Sequence, residues 1–307
     1  MRVPEPFDLE LTVRSHGFYD LAPWRWDGER GALSRPLALA SGRVAVVEVA
    51  RAARGLAFRA LAEGGLSAAE AREAQGVLAT CLSLDEDLAP FRARAAALER
   101  EREAGRADLP DLRWALLRGA GRLLRSPTVY EDAVKTLCTI NCSWGLTRVM
   151  VERLCATLGE EGPNGVRTFP SPARMAERSE PFYRESIRAG YRAPFLLALA
   201  RDVAAGRLEL EALRHSNLPT PELLLRLRAL RGFGPYAAEH LLRLLGRHDH
   251  LALDSWTRAK LARLRGRRRI PSDRTVLRWY APYGRWAGLA MWLEATADWH
   301  GERPSWP

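Results

Sequence analysis

The first hundred residues carry short apolar patterns of the strand type. Phe7, Leu9, Leu11 and Val13 alternate with Asp8, Glu10, Thr12 and Arg14, which predicts a strand with one buried face. A second strand, rich in β-branched residues, is predicted at 43–49, and residues 24–31 read as a strand end and turn. The expected result is a small antiparallel sheet. Ser67 then caps a helix predicted to reach residue 82. From about residue 108 the helical period dominates. It predicts helices at 126–140, 146–158, 191–205, 221–230, 236–245, 255–264, 272–279 and 285–298, with a short one opening at Ser171. This pattern divides the chain into a β-bearing part, 1–107, and a helical part, 108–307, whose last helix is expected to pack back toward the first part.

Composition narrows the class. With 307 residues, 47% hydrophobic and 27% charged, the chain can bury a real core, so disordered, collagen-like and disulfide-scaffold readings fall away. No apolar run approaches the roughly 18 residues of a membrane helix, and residues 1–6 lack the apolar core of a signal peptide. Four cysteines, Cys81, Cys138, Cys142 and Cys155, in so long a chain point to reduced thiols and a cytoplasmic protein. The 47 basic residues against 37 acidic give a net charge of +10, and residues 201–307 hold 19 basic against 11 acidic. A polyanionic partner follows naturally. Only two basic residues are lysines, Lys135 and Lys260, a bias that also fits GC-rich coding.

The most informative stretch is Leu230-Arg231-Gly232-Phe233-Gly234-Pro235-Tyr236, between two predicted helices. Two glycines flanking one apolar residue make a turn too tight for side chains on both sides. Phe233 can plug the gap between helices while the backbone of Gly232 and Gly234 lies open. Amides at the start of the second helix then face an anion, favoured by the helix dipole. Such a helix-hairpin-helix grips a DNA strand without reading its sequence; a plain helical hairpin with a glycine cap would look alike. Eighteen residues beyond Tyr236 comes Asp254, opening the next helix, with Arg258 one turn inside it.

At this point the chain resembles the helix-hairpin-helix (HhH-GPD) DNA glycosylase superfamily, between its bacterial 3-methyladenine and 8-oxoguanine branches. The hairpin of that superfamily is followed at this distance by a catalytic aspartate capping a helix, so the resemblance assigns Asp254 that role. Residues 136–144, with Asn141 and Trp144, look like the segment whose asparagine fills the gap left by the evicted base; by itself Asn141 could simply close a helix. Gly190-Tyr191-Arg192-Ala193, the stretch 82–88 and Ala281 to Trp292 match further motifs in family order. The implied fold is mostly α with an N-terminal antiparallel β-sheet.

The resemblance implies an enzyme of base-excision DNA repair: a hydrolase that flips a damaged base out of double-stranded DNA and releases it, acting as a monomer at the nucleoid. Bifunctional relatives attack the sugar with a lysine; that position holds Tyr236, so hydrolysis by water without AP-lyase activity is expected. Trp292, Tyr236 and His240 fall at base-pocket positions. Their ring faces suit a cationic alkylated purine, and Gly288 stands where the 8-oxoguanine branch has a glutamine. Ser15-His16-Gly17 resembles the loop that senses the oxidised purine, so an oxidised or deaminated base stays as the alternative, beside a non-catalytic damaged-DNA-binding protein. No iron–sulfur cluster is expected, since no cysteine follows Cys155, and no metal spacing occurs among the histidines. The carbonyls of Gly232 and Gly234 are candidate donors to Na+ or K+. Arg263, Arg265, Arg267, Arg268 and Arg269 form a basic run suited to phosphates or to solvent.

Overall fold

A computed structural model of the protein describes residues 1–105 and 108–301. Four strands, β1 (Arg25–Asp27), β2 (Ala32–Ala38), β3 (Val44–Arg51) and β4 (Leu56–Leu61), form one antiparallel sheet in sequential order. Before them lies α1 (Leu9–Val13); after them come α2 (Ala68–Cys81), α3 (Ala89–Glu103) and α4 (Arg113–Arg118). The rest of the chain is helical: α5 (Val129–Thr139), α6 (Trp144–Leu158), α7 (Pro172–Ala176), α8 (Ala193–Ala204), α9 (Thr220–Arg228), α10 (Pro235–Leu244), α11 (Ser255–Leu264), α12 (Asp273–Tyr280) and α13 (Ala287–Thr296). The expected class, mostly α with a small N-terminal sheet, is what the structure has.

The local signals worked where caps or period were strong. Ser67 caps α2 in a full capping box with Glu70, and Gly159 ends α6. The strand predicted over residues 7–13 is the correction: residues 9–13 fold as helix α1, because the Asp8 side chain accepts the Leu11 N–H at 3.0 Å and caps a turn. Its apolar residues point to two cores at once. Leu9 and Val13 join the core beneath the sheet, whereas Leu11 joins one built from α3, α4 and α11–α13. A helix buried on several sides shows no clean stripe, so alternation over four apolar residues mimicked a strand.

The boundary expected at residue 107 falls on Arg106 and Ala107, outside the described residues. Phe91 of α3 meets Trp286, just before α13, with ring centroids 5.8 Å apart. The third and largest core joins α5, α6 and α8–α10 and takes in Phe18 and Trp292. Residues from both ends of the chain thus converge beside α10. Buried charge also ties the sheet to the helices. Arg35 of β2 makes a two-point ion pair with Glu131 of α5 at 2.8 and 3.1 Å, and Lys135 reaches the same carboxylate at 2.7 Å.

Candidate active site

The hairpin joins α9 to α10. Gly232 has φ +87°, and a Cβ there would sit 2.7 Å from the Phe195 ring, so both conformation and space demand glycine. Phe233 is buried and its N–H donates to the Leu230 carbonyl at 3.0 Å, which closes the turn. Gly234 caps α10 in extended conformation with open space at its α-carbon, and Pro235 begins the helix. Gly234 and Tyr236 are exposed, so the helix start meets solvent. The Gly234 carbonyl accepts the Ala238 N–H as the helix's first bond.

One face of α10 carries Tyr236, His240 and Arg243, spaced to point the same way. These residues form a wall of a cleft of about 600 Å³. His16, Gly17 and Phe18 form a second side, and Asp254, Trp256, Trp292 and Trp299 a third. Asp254 is the N-cap of α11: its Oδ1 accepts the Thr257 N–H at 2.6 Å, and the side chain lies half-buried at the cleft. Its second carboxylate oxygen makes no bond to any described residue.

The aromatic side is tightly built. The Trp292 Nε1–H donates to the Ser15 carbonyl at 2.9 Å, fixing its ring. Trp256 and Trp299 pack around it, with centroids 6.2 and 5.7 Å from it. Opposite, the Tyr236 ring stacks near His240 at 6.1 Å, and its hydroxyl donates to Thr139 Oγ1 at 3.4 Å. Gly17 admits Trp144: a Cβ there would lie 2.6 Å from the indole, whose Nε1–H donates to Asp20 at 2.9 Å.

Both histidines of the cleft are neutral. Burial lowers the pKa of His16 to about 4 and that of His240 well below its ordinary value. His16 Nε2 sits 2.6 Å from the Leu124 carbonyl, which only accepts, so Nε2 carries the proton while Nδ1 accepts the Phe18 N–H. The unfolded chain binds this proton below pH 6.5 and the folded chain only near pH 4, so the stability that rests on neutral His16 is complete above pH 6.5 and is lost as the pH falls to 4. Relative to His16→Gln, the wild type should lose roughly 3 kcal/mol across that window, measured as unfolding free energy by urea titration at stepped pH. A gap that stays constant with pH would contradict the neutral assignment.

No known family's sequence model matches the chain, and no curated protein matches it. Solved structures do. It is similar to a 3-methyladenine DNA-glycosylase from Archaeoglobus fulgidus (TM-score 0.74, 19% identity, covering 96% of this chain and 97% of that one). It is also similar to MBOgg1 in complex with a low-affinity DNA ligand (TM-score 0.69, 19% identity, 96% and 93%). A third is the Clostridium acetobutylicum 8-oxoguanine glycosylase/lyase in complex with double-stranded DNA (TM-score 0.65, 17% identity, 94% and 93%). The chain has the helix-hairpin-helix DNA glycosylase fold. Within that glycosylase fold, the structure brings Asp254, Trp292, Tyr236, His240, His16 and Gly17 to one cleft.

Gly288 is the exception and a correction. It does not line the cleft; its N–H donates to the His248 carbonyl at 2.7 Å, and a Cβ would fall 2.2 Å from the His250 carbonyl. It lets the segment leading to Asp254 pass against α13, so a longer side chain there would meet backbone rather than a base. Asn141 lies exposed in the turn between α5 and α6 with φ +46°, a conformation asparagine tolerates. The preceding Ile140 carbonyl accepts the Tyr191 hydroxyl at 3.2 Å and Arg192 Nε at 2.9 Å, which gives the Gly190–Arg192 motif its structural task. Arg258 faces away from the cleft into a two-point pair with Asp273 at 2.7 and 3.0 Å. Of the basic run, Arg265 is tied to Glu294 at 2.9 Å, while Arg263 and Arg267 to Arg269 are exposed.

Sequence reasoning missed Arg243, Trp256 and Trp299. Arg243 lay within reach, three residues past His240 and seven past Tyr236 on one helical face. Trp299 had no local signal, since only the tertiary fold brings it to Trp292.

Proposed function

We propose that the protein is a DNA glycosylase of base-excision repair that turns a damaged purine out of the duplex into this cleft and hydrolyses its N-glycosidic bond. The observation that carries the reading is Asp254, which caps α11 at the cleft with one carboxylate oxygen unbonded, beside a wall of fixed aromatic rings. Cleavage leaves an electron-poor sugar, and a carboxylate at its edge stabilises that charge and orients the attacking water. Trp292 and Tyr236 offer ring faces to a purine. The hairpin's open helix start would hold a backbone phosphate, Asn141 would fill the vacated space, and exposed arginines would add sequence-independent grip. A monovalent cation at the Gly232 and Gly234 carbonyls belongs to the same reading, as do monomeric action and a nucleoid location.

Hydrolysis without strand scission is supported by the lysines. Lys135 is fully buried on Glu131, and Lys260 pairs with Asp298; Tyr236, on the cleft wall, cannot form an imine. The cleft's π-rich walls by themselves suit a cationic alkylated purine, but a cation already lies on the Trp292 face. The test is a panel of duplexes bearing alkylated, oxidised or deaminated bases, scored for strand breaks with and without alkali. Strand breaks should appear only after alkali, and borohydride should trap no protein–DNA adduct. A covalent adduct would overturn the water mechanism, and silence on every lesion would overturn the enzyme.

A further inference from the structure

Among the described residues five arginines are buried, and four of them are hydrogen-bonded: Arg35 to Glu131, Arg122 to the carbonyls of Ser83 and Glu86, Arg125 to Glu86, and Arg192 to Ile140. Arg243 is the fifth. It is 8% exposed and makes no side-chain hydrogen bond or ion pair with any described residue. Its guanidinium lies 4.0 Å from the centroid of the Trp292 ring, a contact that leaves its five N–H donors unused. Neither nearby carboxylate makes an ion pair with it: Asp254 caps α11 through Oδ1, and Glu239 takes Arg228 at 3.0 Å. On the same helical face, His240 Nε2 is also buried without a partner. Burial lowers the Arg243 pKa to about 10, so the group stays charged at neutral pH. A buried, unpaired guanidinium is costly unless something with acceptors completes it.

We infer that Arg243 selects the base: its guanidinium donates to the carbonyl edge of an uncharged purine, as in oxidised guanine or deaminated adenine, and repels a cationic methylated purine. Arginine suits the task because its planar fork meets the O6 carbonyl and the neighbouring N7 of deaminated adenine together, while oxidised guanine, whose N7 carries a hydrogen, offers it carbonyl oxygens alone. The same charge on the Trp292 face removes the attraction that the ring would otherwise offer a cationic base. This rests on the proposed function, since it concerns the base received by that cleft.

The test separates the two by measuring binding without catalysis. Duplexes carry one 2′-fluoro nucleotide that resists cleavage, with hypoxanthine, 7-methylguanine or unsubstituted purine as base, and affinity is read by fluorescence anisotropy. Hypoxanthine offers the carbonyl without charge, 7-methylguanine offers it with charge, and purine lacks it. The wild type should bind the hypoxanthine duplex at least tenfold more tightly than either of the others. Arg243→Met should erase both preferences, and Arg243→Lys should keep discrimination against the charged base while weakening that against purine. The melting temperature of Arg243→Met should hold or rise, because an unpaired buried charge has been removed; a fall of many degrees would mark Arg243 as structural and overturn the assignment. Equal wild-type affinity for the three duplexes, or tighter binding of 7-methylguanine, would overturn it as well. Base release from the cleavable hypoxanthine duplex is scored separately, and its absence counts against the enzyme reading while leaving the binding preference to stand or fall alone.

Discussion

Asp254→Asn should lower base release by roughly 10³-fold or more while leaving DNA affinity and folding nearly unchanged. The substitution keeps the helix cap, because an asparagine oxygen can accept the Thr257 N–H just as Oδ1 does now at 2.6 Å. Only the negative charge is lost, and with it the group proposed to steady the electron-poor sugar. Single-turnover release of the best lesion from the panel gives the rate, anisotropy gives affinity, and a thermal melt gives stability. Release within tenfold of wild type would move catalysis to another residue. Loss of binding together with activity would instead make Asp254 a structural anchor.

Glu131→Gln should destabilise the fold by about 3–5 kcal/mol. Glu131, Arg35 and Lys135 are each at most 3% exposed, and one carboxylate serves both cations. Burial alone would raise the carboxyl's pKa, but the charges of Arg35 and Lys135 prevail and bring it down to about 2. An isosteric amide leaves two interior cations without a counter-charge. Urea titration of both proteins at pH 7 measures the loss, and a change under 1 kcal/mol would show that water reaches the triad. Replacing all three residues by methionine or leucine together should recover much of the difference, since no charge is then left inside. The linkage has a definite sign: this contribution is fully present above pH 4.5 and fades as the pH falls toward 2.

The hairpin and Asp254 were legible in the sequence because their signals are local. A glycine forced to positive φ, a plug residue and a cap lie within a few residues of one another, and the cap's distance from the hairpin added the rest. The helices from α5 onward were legible for the same reason, with ends displaced by one or two residues where Gly190–Arg192 and Ala281–Trp286 form tighter turns. Helix α1 was misread because its two faces serve different cores, information that a seven-residue window does not hold. Gly288 was misread for a related reason. Its position in the sequence suggested a missing base contact, whereas the space it leaves belongs to the His250 carbonyl. The unpaired state of Arg243 is a negative fact about all its neighbours, so only the assembled structure could reveal it.

The Ile140 carbonyl, held by Tyr191 and Arg192, fixes the backbone just before Asn141. If Asn141 fills the vacated space as proposed, a tip braced in this way would reach the double helix already shaped, with little ordering entropy left to spend on insertion. Deformation would then fall chiefly on the nucleic acid, whose weakest stacks would yield first. Such a probe would sample mechanical softness along the duplex before any pocket inspected the chemistry of a base.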